Sequence, residues 1–253
     1  MNLLAFETST EACSVALWRD GEVRERFEVA PRRHAELALP WADALLAEAG
    51  IARAQLDAIA VGRGPGAFTG VRLGVAIAQG IALALDRPVL PVPTLLALAA
   101  QAADGRVLAA IDARMGEVYL GAFAREGDGW RALQAEAVGA PDAIALPDGD
   151  GWAGVGTGFD AAGGALRARL GARLARVDAA ALPHAADVAR LGAAMFARGE
   201  AVPPERLEPA YLRDNVALTL AEQASASAAK KASTSDSERV AGNGGSDSRN
   251  TRP

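Results

Sequence analysis

Two places in this chain carry the side-chain types that phosphate chemistry uses. Glu7-Thr8-Ser9-Thr10 ends a short apolar run, and Asp112 ends another. Acids and hydroxyls at the ends of two central strands are what a phosphotransfer site uses to hold phosphate or Mg²⁺ and to aim a nucleophile. The competing reading makes both acids turn caps that stay solvated, and Glu7 is longer than the aspartate such a site usually needs. Between the two places lies Gly62-Arg63-Gly64-Pro65-Gly66-Ala67, a glycine-rich turn between an apolar run and a long apolar segment. Such a turn can bring free N–H groups to an anion at a helix start, or can simply let the backbone pass close to a neighbouring sheet. No lysine follows a glycine as a Walker A loop requires. The turn matches the GxGxxA form of the dinucleotide fingerprint, but Asp86 precedes the next strand instead of ending it, and Pro65 removes an N–H donor.

Other reactive side chains are few. Cys13 is the only cysteine, so the chain has no internal disulfide and no cysteine-ligated zinc. His34 and His184 are the only histidines, too few for a histidine metal site, and neither has the nucleophile context of a Ser-His-Asp set. The sequence therefore assigns no catalytic residue, no metal ligand and no cofactor. His34 reads as a helix-entry or interface residue, His184 as a loop residue, and Cys13 as a small buried hydrophobe.

The elements that must position these groups follow from apolar periodicity and breakers. Strands are expected at Asn2–Phe6, Ser14–Arg19 and from Asp20-Gly21 through Val29, with Asp20-Gly21 as a hairpin turn. A helix is expected over Ala35–Ala49, ended by Gly50, with Pro40 giving a kink or a late start. A strand at Leu56–Val61, a helix to Leu85, a strand at Val89–Val92 and a helix capped by Thr94 through Ala103 follow. The pattern then restarts, with strands at Val107–Ile111, Glu117–Phe123 and Trp130–Val138 and a hairpin signal at Asp128-Gly129. A short helix near Asp142–Ala145, a strand at Trp152–Val155, an alanine-rich helix to Leu170 and a helix at Asp187–Arg198 complete it. Two copies of a mixed-sheet α/β unit are the economical fold. The expected domains are 1–104 and 105–220, with a Ser/Ala/Gly-rich, disordered tail over 221–253.

The chain has 253 residues, 51% of them hydrophobic and only 5% aromatic, so the core is built from Ala, Leu and Val. A net charge of −5 argues against an autonomous basic nucleic-acid binder. MNLLAFE has no basic region ahead of a long apolar run, and the apolar helix ending at Leu85 carries Arg72 and falls short of about 20 residues. A soluble cytoplasmic protein with no membrane partner is expected. In that helix Gly70, Gly74, Ala78 and Ala82 recur every fourth residue, and Leu73, Ile77, Ile81 and Leu85 form a bulky stripe beside them. A helix apolar nearly all round is either central to one domain or a docking helix for a partner subunit.

AFETSTEACSVAL, HAELALP, VGRGPGAFTGVRLGVAIAQGIA, AIDARMGEVYLGAF and EPAYLR resemble the bacterial TsaB (YeaZ) family over roughly residues 1–220. The resemblance implies the duplicated actin-like ATPase (ASKHA, RNase H-like) fold. It also implies an accessory role in making threonylcarbamoyladenosine at position 37 of tRNAs that read ANN codons. The expected partners are a TsaD-like catalytic subunit and a TsaE-like ATPase, with tRNA reached through the complex and a homodimer of the free protein as the alternative. The catalytic paralogue carries an HxxxH metal motif where Thr94 and Leu98 stand here, so a non-catalytic member is implied. Family members pair through two N-terminal helices, and the expected partner-binding residues are Phe68, Gly70, Arg72, Gly74, Val75, Ala78, Gln79 and His34. Glu7, Thr8, Ser9, Thr10 and Asp112 are the nucleotide-binding candidates. An ATP-dependent phosphotransferase of the same fold is the alternative function.

Overall fold

The structure, a computed structural model, describes residues 1–103 and 105–213. The tail expected at 221–253 lies outside the described residues. Met1–Leu212 forms one unit. It opens with β1 (Asn2–Glu7), β2 (Ala12–Arg19) and β3 (Glu22–Val29). Asp20 and Gly21 join β2 to β3 at φ of 49° and 99°, the turn geometry that matches strand twist and that Asp-Gly favours. Next comes α1 (His34–Ala49), closed by Gly50 in the left-handed conformation. Pro40 lies inside α1, which starts at His34, so the late start allowed by the sequence does not occur. β4 (Ala58–Gly62), α2 (Phe68–Leu85), β5 (Val89–Val92) and α3 (Thr94–Ala99) follow.

These strands form one sheet in the order β3-β2-β1-β4-β5, β1 antiparallel to β2 and parallel to β4. Strand side chains alternate between faces. Leu4, Phe6, Val15, Leu17, Ile59 and Val61 meet the side of α1 and α2. Leu3, Ala5, Ala16, Ala58, Ala60 and Leu90 meet α5 (Ala185–Ala197). With both faces covered, the central strands β1 and β4 are apolar between Leu3 and Phe6 and between Ala58 and Val61.

The second sheet holds β6 (Arg106–Arg114), β7 (Glu117–Glu126), β8 (Gly129–Ala132), β9 (Ala137–Gly139), β10 (Trp152–Val155) and β11 (Leu174–Asp178). Its order is β11-β10-β6-β7-β8, with β9 paired to β7. β6 stands where β1 stands, antiparallel to its hairpin partner and parallel to the strand on its other side. The sequence's weak repeat is thus a repeat of topology, and the α/β fold is the duplicated actin-like arrangement.

Local departures have local causes. The strand expected over 130–138 is split into β8 and β9, and 142–145 is a turn. The alanine-rich helix shortens to α4 (Ala165–Leu170), because Gly163 and Gly164 sit at φ of 70° and 79°, outside helical geometry. α3 stops at Ala99, and the Thr94 hydroxyl does not cap it. β11 had no apolar signal: it is an edge strand, LARVD, with three of five side chains exposed.

Candidate functional site

β1 delivers Glu7 to the end of the first sheet, where it is 1% exposed. Its carboxylate accepts the Ser9 N–H at 2.7 Å and the Thr94 hydroxyl at 3.2 Å. A Cβ on Gly62 of β4 would lie 1.8 Å from its Oε2, so only glycine leaves room for this carboxyl. Burial pushes the Glu7 acid up, against the opposing effect of its hydrogen bonds. The expectation that this acid stays solvated is therefore wrong: β4 and Thr94 wall it in.

The hydroxyl turn is engaged in the same way. The Thr8 hydroxyl donates to the Gly70 carbonyl at 2.8 Å, and the Ser9 carbonyl accepts the Ala67 N–H at 2.7 Å. A Cβ would come 2.3 Å from the Ser9 carbonyl oxygen at Gly66 and 2.1 Å from that of Thr8 at Gly70. Of the two readings of the glycine turn, the structure realises the close approach to a neighbouring strand. Thr10 is buried and its hydroxyl accepts the Ala12 N–H, while the buried Ser9 hydroxyl has no partner among the described residues. Glu7, Thr8, Ser9 and Thr10 are thus brought together against residues 62–70. Asp112 sits at the matching end of β6 in the other sheet. It is half-buried and held by its own hairpin, accepting the Arg114 N–H at 2.8 Å and Nη1 at 3.0 Å.

α2 presents two unlike sides. Gly74, Val75 and Ala78 are buried, and a Cβ on Gly74 would lie 2.6 Å from the Thr8 hydroxyl and 3.4 Å from Val61. The close approach that Gly70 and Gly74 permit is therefore to the Thr8-Ser9 turn after β1 and to β4 of the same chain, and Ala78 is buried on the same side, which corrects the reading of this stripe as partner-facing. Gln79 is likewise turned inward, donating to the Pro204 and Leu207 carbonyls at 3.0 and 3.1 Å. His34 is also buried, its Nε2 at 2.9 and 3.1 Å from the Thr10 and Ala12 carbonyls, so it tethers the hydroxyl turn instead of facing outward. Phe68 and Arg72 do lie outward, as do Ala76, Gly80, Leu83 and Ala84. α2 has a mean hydropathy of 1.6 over 18 residues but is only 33% buried, so an apolar helical face stays open to solvent.

Sequence reasoning missed the segment that lies over the start of α2. The Ala210 N–H donates to the Arg63 carbonyl at 2.8 Å, and Arg72 Nε donates to the Tyr211 hydroxyl at 2.7 Å. The motif EPAYLR carried the signal, without the place. Another missed cluster joins β3 to α5. His184 Nδ1 lies 3.0 Å from Glu25, whose carboxylate also accepts the Ser14 hydroxyl and the Ala186 N–H. The Glu25 hydrogen bond raises the affinity of His184 for its proton.

A family model described as TsaD, tRNA N6-adenosine threonylcarbamoyltransferase, matches residues 27–221. The chain is 44% identical over 225 residues to the tRNA threonylcarbamoyladenosine biosynthesis protein TsaB of Escherichia coli, across 86% of this chain and 96% of that one. It is 40% identical over 229 residues to the protein of the same name from Haemophilus influenzae, across 85% and 95%. The solved structure of YeaZ from Pseudomonas aeruginosa matches with a TM-score of 0.78 at 47% identity, covering 83% of this chain and 99% of that one.

Proposed function

The chain belongs to the TsaB (YeaZ) family, and on that premise we propose that it is an accessory subunit in threonylcarbamoylation of adenosine 37 of ANN-decoding tRNAs. In this reading it performs no chemistry itself and docks a TsaD-like catalytic subunit through the outer face of α2 beside α1. A TsaE-like ATPase joins the pair, tRNA is reached through the complex, and the assembly works in the cytoplasm. The proposed division is a docking half over 1–104 and a second half over 105–220.

The observation that carries the docking role is the open apolar face of α2. Leu83 is 57% exposed and Phe68 51%, with Ala76, Gly80 and Ala84 between and beside them. On α1, Leu39 is 48% exposed. An exposed apolar patch of this kind marks an interaction site. The enclosure of Glu7 supports the absence of independent turnover, since its carboxyl is occupied by Ser9 and Thr94.

The test mixes this protein with the catalytic subunit of its own organism and measures mass by light scattering. A heterodimer that Leu83→Asp abolishes, with the variant's melting unchanged, is the expected result. Two proteins that stay separate with and without ATP and tRNA would refute the reading.

A further inference from the structure

At the N-terminal end of α2 the open face changes character. Arg72 is the only charged residue among the 18 of α2. Its guanidinium lies 3.6 Å over the Phe68 ring and 5.4 Å from the Tyr211 ring, and its Nε is fixed by the Tyr211 hydroxyl at 2.7 Å. The two rings are 6.4 Å apart and both about half exposed. Gln79 holds the Pro204–Leu207 stretch that precedes Tyr211, so the ring is brought to Arg72 by a fastened segment. Both terminal Nη groups of Arg72 are left without a partner among the described residues.

Resting on the docking role given above, we propose that Phe68, Arg72 and Tyr211 form a preset receptor for one carboxylate of the catalytic subunit, an Asp or Glu flanked by apolar side chains on its docking helix. The argument is charge complementarity. A cation surrounded by apolar surface loses its water when that surface is covered, and an uncompensated charge there is costly. A guanidinium already held flat by aromatic rings loses little freedom on presenting its fork to a carboxylate. A second copy of this chain supplies the acid less readily. α2 contains no Asp or Glu, and the acids of α1 are engaged: Glu36 by Arg33, Asp43 by Arg53, Glu48 by Arg26. Asp86, just past α2, lies about 21 Å along the axis from Arg72, and reaches it only in a near-antiparallel self-pairing about Gln79.

The test measures Kd for the full chain with the catalytic subunit of its organism, comparing wild type, Arg72→Met, Arg72→Lys and Tyr211→Phe. Arg72→Met keeps the stacked stem and removes the charge, and is expected to weaken binding by about 30-fold or more. Arg72→Lys should recover part of the loss and Tyr211→Phe should lose less, all with melting curves like wild type. Wild-type binding that Arg72→Met leaves within about twofold would overturn the carboxylate receptor while sparing the docking face. Absence of wild-type binding would overturn both. Self-association lost in both Arg72→Met and Asp86→Asn, or tRNA binding by the free chain lost in Arg72→Met, would assign the receptor to another occupant and overturn the proposal.

Discussion

Replacing Gly74 by a larger residue looks, from sequence, like an interface mutation; the structure makes it a folding mutation. A Cβ at Gly70 would sit 2.1 Å from the Thr8 carbonyl oxygen, and one at Gly74 would sit 2.6 Å from the Thr8 hydroxyl. Gly80, in the same helix, has nothing within 4 Å of its added Cβ. All three gain about 1 kcal/mol of helix propensity on going to alanine. Gly80→Ala should keep that gain. Gly74→Ala displaces a hydroxyl that bonds the Gly70 carbonyl at 2.8 Å. It therefore loses about 1 kcal/mol of hydrogen bond and about 1–3 of overpacking, and after the propensity gain should be destabilised by about 1–3 kcal/mol net. Gly70→Ala collides with backbone, which moves only if α2 lifts off β1, and should cost more than Gly74→Ala. Urea unfolding followed by far-ultraviolet circular dichroism reads all three. At concentrations where Gly74→Ala is folded it should still bind the catalytic subunit, because its methyl faces β1. If Gly70→Ala and Gly74→Ala proved as stable as Gly80→Ala, the placement of this stripe against β1 would be refuted.

Two further expectations concern buried titratable groups. Glu136 has a buried Oε1 with no partner among the described residues, and burial pushes its acid up from 4.5 to about 7, against the opposing pull of Arg63. The folded state then holds a proton the unfolded chain has lost, so stability falls as pH rises from about 4.5 to 7. At about 1.4 kcal/mol per pH unit this bounds the loss at about 3 kcal/mol. Glu136→Gln should flatten the profile and raise stability at pH 8 by about 1–3 kcal/mol in urea titrations; an unchanged profile would exclude this burial. For His184, raised by its hydrogen bond to Glu25, the stabilisation is complete below the ordinary value of 6.5 and is lost as pH rises through the higher folded value. His184→Gln should therefore cost about 1 kcal/mol more at pH 6 than at pH 9, and an equal cost at both would mean that only its stacking on Phe27 matters.

Most of the first sheet was legible because its strands are short, apolar and bounded by strong breakers. Asp20-Gly21 and Gly50 sit where the turn and the helix end need positive φ. β11 was not legible, since an edge strand with exposed side chains carries no apolar pattern. The shortening of α4 was missed because alanine content outweighed Gly163 and Gly164 in the reading. Of the expected partner-binding residues Phe68 and Arg72 are exposed, whereas Gly70, Gly74, Val75, Ala78, Gln79 and His34 turn toward the chain's own interior. Small residues at every fourth position signal a close approach, but the sequence does not say whether the approaching backbone belongs to the same chain. Tyr211 lies 139 residues from Arg72, beyond the reach of any local pattern.

The same contacts that close the acidic turn also set α2 in place. Gly62 admits the Glu7 carboxyl, Thr94 bonds both that carboxyl and the Gly64 N–H, and Gly66 and Gly70 lie against Ser9 and Thr8. A turn that could have cradled phosphate is instead filled by the chain's own backbone, which fixes the first turn of α2 on the end of β1. Fixing the helix there requires glycine on the inner side and leaves the outer side free of structural demands. A water-facing side without such demands would ordinarily be polar; here it carries Ala76, Gly80, Leu83 and Ala84, with Arg72 as the one charge. Composition on that face is therefore not explained by packing within the chain, and the proposed docking role is the reading that accounts for it.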